Sequence, residues 1–531
     1  MRRPQLLAAA GLALALMATS ACSDNSDGGS DASGNGNFAN GGTFTFAVAG
    51  DPGTLNPLNN TATTANWLFR FLYQPLVVRK EDGTMGPGLA TKWDFDGTKA
   101  VFTLDPAATC SDGSKITPSV IAKNFTWVKD PKNTSTVIGA TLPNRDFTFA
   151  ADDAAGTFTL TLSTPFSNLL PSLSFMHQAC GAGADNPAGL TTASSGSGPF
   201  VLKTATPNSE YVMTKRDGFA GNAAAGVPDQ VVMKIVDSES TAANLLLSGA
   251  INAAVVNGQD RARITAAGAS EKTYVSGGVV ISFNHQEGRI TADKAVRVAL
   301  TQALDRGAVA KVVTQGLLPD AGTSVSAAQP QICDDVSAAS AIPAFDATGA
   351  GSTLTADGWT KGGDGVMTKG GKPLAFNLGY STATPGAAAA AELMADAFGK
   401  IGAKATITPF AQADYTQRVF TTGDYDVMLQ QFSNPFPSTL IGLLAGPFPP
   451  DGTNAGHVRN KAYTDDVTAA RTATTQEAAC QNWTAASKSL FEEADMIPIS
   501  GWPTNWVVKN AVMETLGGRP IAESVRLLQP K

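Results

Sequence analysis

Apolar and polar positions along the chain fall into two rhythms that take turns. From Leu374 to Tyr380 the run LAFNLGY has the pattern of a strand, and Leu393, Met394, Ala397, Phe398 and Ile401 then recur at helical spacing until Gly402 stops them. KATITPF resumes the strand rhythm, so the segment reads as strand, helix, strand, with Thr384 as N-cap and Pro385 in the first helical position. A second helix is expected from Thr291 to Val312, with Val296, Ala299, Leu300, Ala303 and Leu304 on its apolar face and Lys294, Arg297, Gln302 and Arg306 on a polar outer face. TAANLLLS, a stop at Gly249 and the strand INAAVV repeat the alternation, which predicts parallel α/β lobes. Between Thr98 and Leu162 the pattern changes: AVFTLD, FTFAAD and GTFTLTL are short runs between turn residues, as in antiparallel strands. At 531 residues the chain is too long for one simple core, and two or three lobes are expected.

The first residues obey a different logic. Arg2 and Arg3 precede an apolar run from Leu6 to Ala21, and small residues lead up to Cys22, the order of a secretion signal over residues 1–21. The run is too short for a membrane span, which needs roughly 20 apolar residues. Thr19-Ser20-Ala21-Cys22 resembles a bacterial lipobox, although Thr19 departs from the usual Leu, and so Cys22 is the expected lipidation site. The next segment, SDNSDGGSDASGNGNFANGG, has too little apolar surface to offset its ordering entropy and reads as a flexible tether over residues 22–40. The expected location is the outer face of the cell membrane, with the lipid as the only membrane contact.

Charge and cysteine count narrow the chemistry. Without Arg2 and Arg3, 38 basic and 45 acidic residues become 36 and 45, a formal charge of −9 that argues against a nucleic-acid-binding role. Setting Cys22 aside leaves Cys110, Cys180, Cys333 and Cys480, an even number in a compartment where disulfides persist. Three pairings are open; pairing within a lobe selects Cys110 with Cys180 and Cys333 with Cys480. The rival use is zinc, with His177 three residues before Cys180 and Cys110 joining them, but the remaining histidines, His285 and His457, supply no second paired ligand. No G-x-S-x-G elbow and no H-E-x-x-H motif is present, so an exported hydrolase lacks its usual signatures and no catalytic residue is named. No cofactor and no resident metal are expected.

Several segments, in order, carry a resemblance. GGTFTFAVAGDPGTLNPL, FLYQPLVVRKEDGTMGPGLATKWDF, TLDPAATCSDGSKITPSVIAKNFTWV, SGSGPFVL, LLLSGAINAAVV, FNHQEGRITADKAVRVALTQALDRGAVAKVV, DGWTKGGDGVMTKGGKPLAFNL and ADMIPIS succeed one another through the chain. Together they resemble the extracytoplasmic solute-binding proteins of the peptide and nickel ABC importers, the family that includes oligopeptide- and dipeptide-binding proteins. Pro118 and Ser119 depart from the family pattern after the Asp112-Gly113 turn, and Ala250 and Asn252 stand where the family has acids.

The resemblance implies an α/β, two-lobe, periplasmic-binding-protein-like fold with a hinge, plus a mainly β subdomain inserted in the N-terminal lobe. Lobe I is expected over residues 41–278 and 497–531, the inserted subdomain near 77–195, and lobe II over 279–496, with hinge crossings near Val279–Asn284 and Met496–Ser500. A monomer would capture a small polar or peptide-like solute in the interlobe cleft and pass it to ABC permease subunits. Peptides, oligosaccharides, opine-like compounds and metal chelates all fall within what such relatives bind. A surface receptor or chaperone would use the same cleft without import.

Ligands of open α/β sheets bind beyond the carboxyl ends of strands. The strand YDVMLQQF therefore offers Gln430, Gln431 and Phe432, and the loop after it Asn434. On the facing lobe the candidates are Thr54, Leu55 and Asn56, then Asn66 and Trp67; Tyr415 and Trp502 complete the set. Trp93, Trp127, Trp359 and Trp483 are assigned to packing. Peptide-binding relatives place an aspartate in the loop after this strand to meet the ligand's ammonium group, yet no acid lies between Gln430 and Thr439. A buried ammonium without a partner is costly, so this departure puts peptide transport in doubt unless Asp51 or another cleft residue substitutes.

Overall fold

The computed structural model describes residues 38–333, 336–433 and 436–529. The expected leader, Cys22, most of the tether and the candidate Asn434 lie outside the described residues. Phe38 bridges Leu528, and the Ala39 N–H donates to the Leu527 carbonyl at 2.9 Å. Composition placed residues 38–40 in the tether; the backbone pairs two of them with the C-terminal segment.

One ten-stranded sheet organises the molecule. Its order is Phe200–Thr206, Glu210–Lys215, Gln230–Ile235, Thr43–Val48, Ala253–Val255, Met496–Val508, Ser270–Phe283, Val427–Phe432, Ala375–Ser381 and Lys404–Phe410. Thr43–Val48 runs parallel to both of its neighbours, and Ala375–Ser381 runs parallel to Lys404–Phe410 and Val427–Phe432. Two strands cross the middle: Ser270–Phe283 pairs antiparallel with Met496–Val508 from Ser270 opposite Val508 to Ser282 opposite Met496. The first half of the earlier one, SEKTYV, is polar at most positions, whereas its second half, GVVISF, is apolar and buried almost throughout.

The register slips between Val275 and Gly277 and again between Val279 and Val280. Gly277 sits at this irregularity because nothing larger fits: a β-carbon there would lie 1.8 Å from the Phe432 carbonyl oxygen. Each half of the sheet has its own core. Phe44, Phe46, Phe71 and Trp506 anchor one, and Val280, Leu300, Phe398, Trp483 and Ile497 the other. A third core around Phe102, Phe125 and Phe158 fills an antiparallel four-stranded sheet, Ala90–Phe95, Lys99–Leu104, Thr157–Leu162 and Phe147–Asp152, backed by the helix Pro118–Lys129. Among the described residues no helix is long and apolar enough to cross a membrane.

The two cysteine pairs are disulfides: Cys110 with Cys180 in this third core, and Cys333 with Cys480 on the helix Gln476–Glu492. They are the two pairs favoured from the sequence, and they leave the Cys110 and Cys180 thiols unavailable to a metal.

Three local expectations change. The helix after Ala375–Ser381 begins at Ala387, and its N-cap is Gly386 at φ +76°, not Thr384. A β-carbon at Gly386 would come within 2.7 Å of the Val312 carbonyl oxygen, so close packing fixes this glycine, while Thr384 turns away to donate to Gln431 Oε1 at 3.1 Å. The long helix expected from Thr291 to Val312 is two, Lys294–Gln302 and Arg306–Val313, because Asp305 caps a new start by accepting from the Ala308 N–H at 3.0 Å. Arg297 and Arg306, assigned to the outer face, point inward: Arg297 is 4% exposed, and Arg306 donates to the Gly322 and Pro498 carbonyls, both at 2.8 Å.

Candidate ligand-binding cleft

The candidates Asn66 and Trp67 lie on the helix Thr63–Leu72, TTANWLFRFL, whose residues 65 to 69 are all buried. It stops at Tyr73, where the chain turns extended ahead of Pro75; the Tyr73 N–H still donates to the Phe69 carbonyl and its hydroxyl to the Leu55 carbonyl. Trp67 packs against Trp506 with ring centroids 5.0 Å apart, and its indole N–H has no partner. The Asn66 amide donates back to the Ala62 carbonyl at 3.1 Å.

The loop before this helix satisfies itself. Leu55 and Asn56 are buried, and Asn56 accepts from the Leu58 N–H at 3.0 Å. Thr54 lies against the Leu190 carbonyl, while Asn60 donates to the carbonyls of Pro52 and Thr54. Asp51 is occupied as well: it accepts from the Tyr211 hydroxyl at 2.8 Å and from the Asn208 and Gly53 N–H groups. It is therefore a poor substitute for the missing loop aspartate.

On the other half, strand alternation separates the two glutamines. Gln430 turns into the lobe core, 2% exposed, in a small cavity shared with Ser282, Tyr425 and Asp495, and its Oε1 has no partner. Gln431 faces the other way, toward Thr384. The two amides do not present one face to a ligand. Phe432 meets Phe420 at 6.5 Å, and Tyr415 sits in an aromatic cluster with Phe410 and Tyr425. Trp502, half-buried, lies opposite Gly277 at the crossing of the two long strands. Thus Tyr415, Gln431, Phe432 and Trp502 gather around the end of Val427–Phe432, Asn66 and Trp67 belong to the opposite half, and Thr54, Asn56 and Gln430 are engaged within their own halves. Trp359 and Trp483 are core residues, and Trp93 and Trp127 pack partly buried against the third core.

The sequence reading missed three arginines. Arg70, Arg79 and Arg519 line a small cavity, with room for about one water molecule, together with Ser174, Phe175 and Gln329. Arg519 stacks its guanidinium 4.5 Å over the Phe175 ring, and Phe175 meets Phe436, from the loop after Val427–Phe432, edge to face at 5.6 Å. This chain of contacts runs from Arg519 through Phe175 to the loop after Val427–Phe432. Burial, with Arg70 and Arg79 nearby, pushes the Arg519 guanidinium down to about 9, and burial alone takes Arg79 to about 10. His177, 3% exposed, is held neutral: burial first, then the Arg70 charge, depress it to about 3. One signal was available. Arg70 is the one charged residue of the helix Thr63–Leu72, and a charge kept where burial penalises it points to a role.

The chain has known relatives. Residues 84–446 match the family described as bacterial extracellular solute-binding proteins, family 5 Middle. The periplasmic murein peptide-binding protein MppA of Escherichia coli K12 is 24% identical over 499 residues, covering 87% of this chain and 88% of its own. Among solved structures, a substrate-binding protein from Microbacterium hydrocarbonoxydans complexed with 4-hydroxybenzoate hydrazide is 26% identical, with a TM-score of 0.70 over 91% of this chain and 99% of that one. The ABC transporter substrate-binding protein CtaP of Listeria monocytogenes, 17% identical, superimposes with a TM-score of 0.79 over 92% and 100% of the two chains.

Proposed function

This chain belongs to the bacterial extracellular solute-binding proteins of family 5, and from that premise we propose that it captures a small polar solute between its two lobes and delivers it to the permease of an ABC importer. The observation that carries this reading is the sheet itself. Two halves with separate cores are joined through two long antiparallel strands whose register slips where they cross, a construction that lets the halves close on a ligand with little rearrangement inside either. Trp67 and Asn66 form one wall, and Tyr415, Gln431, Phe432 and Trp502 the other. A lipid on Cys22 holds the protein at the outer face of the membrane. Because one relative is a murein peptide-binding protein and another was solved with 4-hydroxybenzoate hydrazide, peptides and small aromatic hydrazides are the solutes to try first.

Thermal unfolding of the chain from Ser23 onward, screened against peptides, oligosaccharides, amino-acid derivatives and chelated metals, tests the reading. A solute at 100 times its Kd is expected to stabilise the protein by about 2.7 kcal/mol. Gln431→Ala, which gives up the Thr384 contact, is expected to weaken binding roughly five- to tenfold. No saturable shift from any class, with turnover of a substrate instead, sinks the proposal. The anchor is tested separately: Cys22→Ser is expected to move the protein from the membrane fraction to the soluble one, and unchanged fractionation contradicts lipidation.

A further inference from the structure

We propose that Phe175 and Phe436 form a latch that holds the molecule shut: their rings meet across its two halves when those close and part when they open, and the strength of this contact sets how long a bound solute is kept. The inference rests on the closing motion proposed above and deepens it by naming the contact that opposes opening.

Each ring is fixed to its own half. Phe175 follows the helix Leu169–Leu173, its N–H donates to the Ser172 carbonyl at 3.0 Å, and its neighbours Leu173 and Met176 are fully buried in the third core. That core is stitched to the half containing Phe44 and Trp506. Arg216, just past the strand Glu210–Lys215 of the large sheet, donates to the Thr109 and Cys110 carbonyls at 2.7 and 3.2 Å. The Phe175 ring also carries the Arg519 guanidinium, 4.5 Å away, on the hairpin of Thr515–Leu516 with Arg519–Pro520. Trp506 pins this hairpin to the same half, its indole N–H donating to the Gly518 carbonyl at 2.8 Å. Phe436 belongs to the other half. Its carbonyl accepts from the Thr439 N–H at 3.1 Å and hydroxyl at 2.7 Å, opening the turn Pro437–Leu440, and Leu440 is buried in the core with Val280 and Ile497.

Connections between elements ordinarily run over the surface, yet Phe436 is 2% exposed. The ring it meets is Phe175, edge to face with centroids 5.6 Å apart, a geometry that attracts beyond the area it buries. A second approach between the same bodies brings no such gain. A β-carbon at Gly97, in the turn between Ala90–Phe95 and Lys99–Leu104, would lie 3.2 Å from the Thr474 backbone, so the fit there is close but Gly97 has no side chain to bury. The ring pair is therefore the contact whose loss changes the balance between open and closed. For a solute that binds the closed form, the apparent Kd is the intrinsic one divided by the closed fraction, so a weaker latch is read directly as weaker binding.

The test uses the chain from Ser23 onward, whose four cysteines are paired. Nitroxide labels go on Lys92→Cys and Ala469→Cys, exposed positions on the strand Ala90–Phe95 and the helix Lys461–Thr472. Without solute, double electron–electron resonance is expected to give one main distance in the parent and roughly two- to tenfold more of a longer population in Phe436→Ala. Phe175→Ala is expected to do the same, and the double variant to add nothing to either single one, because both remove one contact. Phe175→Leu gives the same reading if an alanine variant does not fold, with thermal unfolding as the check. Distances unchanged in the folded variants overturn the latch, and additive effects of the two substitutions overturn the pairing. With 4-hydroxybenzoate hydrazide or a free tripeptide as probe, release is expected to quicken roughly two- to tenfold at an unchanged rate of entry; slower entry with unchanged release overturns the latch. Halves that separate in the variants, with no solute of any class bound, leave the latch standing and sink the solute-binding reading. Saturable binding with the halves unmoved does the reverse.

Discussion

Arg297→Leu is expected to destabilise the protein by about 3–5 kcal/mol, the typical cost of removing one partner from a buried ion pair. Arg297 lies on the helix Lys294–Gln302, and its guanidinium donates to four carbonyls: Glu493 at 2.9 Å, Ala494 at 3.2 Å, Thr291 at 3.1 Å and Ala292 at 2.9 Å. It also lies 3.5 Å from Asp495, which is 2% exposed and otherwise held by the Asn460 amide at 2.8 Å. Leucine fills part of the space but leaves those acceptors and the carboxylate without their donor. The cost should depend on pH in a stated direction. Burial already raises the Asp495 carboxyl to about 6 from its ordinary 3.8, against the pull of Asn460 and Arg297.

Loss of the arginine raises that carboxyl further, so the native variant holds a proton that the unfolded chain has released above its own pKa. The native state then binds more protons than the unfolded state in that window, and the variant gains stability as pH falls. Urea unfolding at pH 8 and pH 5 is the measurement, with a larger difference between wild type and variant expected at pH 8. Adding Asp495→Asn to the variant should recover part of the loss, because the uncompensated charge is gone. Equal midpoints for wild type and Arg297→Leu contradict the role assigned to this side chain.

Loss of the Cys110–Cys180 disulfide should cost about 4 kcal/mol in the chain-entropy account of a loop of this length, the sequence separation being 70. Both cysteines are 1% exposed within the third core, so the effect should concentrate in the antiparallel subdomain. The Cys333–Cys480 bond closes a longer stretch, with a separation of 147, and ties the chain before residue 334 to the helix Gln476–Glu492. Cys110→Ser/Cys180→Ser is expected to expose the subdomain to limited proteolysis at temperatures where the oxidised wild type resists. An unchanged cleavage pattern and melting temperature would show that the core alone holds the subdomain.

Local rules read the strands well. Ala375–Ser381, Lys404–Phe410 and Ala253–Val255 all lie where alternation and apolar runs placed them, since a strand that must bury one or both faces cannot hide its period. The helix Glu239–Ser248 ends at Gly249 in the left-handed conformation, as its stop signal required. Caps were less legible. Thr384-Pro385 has the composition of a helix start, but the close approach of Gly386 to the Val312 carbonyl decided where the helix begins. Side-chain direction was least legible of all. Arg297 stands at a position that helical periodicity assigns to solvent, and the chain near Glu493 and Ala494 covers it.

The sequence alone therefore determined the alternation of elements, the antiparallel insert and the family, because these arise from local periodicity and from motifs contiguous in the chain; it favoured the cysteine pairs that the fold then closed. Only the tertiary structure decided that Gln430 and Gln431 point apart, that Asp51 is already occupied, and that Arg70, Arg79 and Arg519 share one cavity. Those three arginines are separated by up to several hundred positions, and whether like charges meet depends on which strands and loops pack together, a matter of long-range packing that no local pattern records.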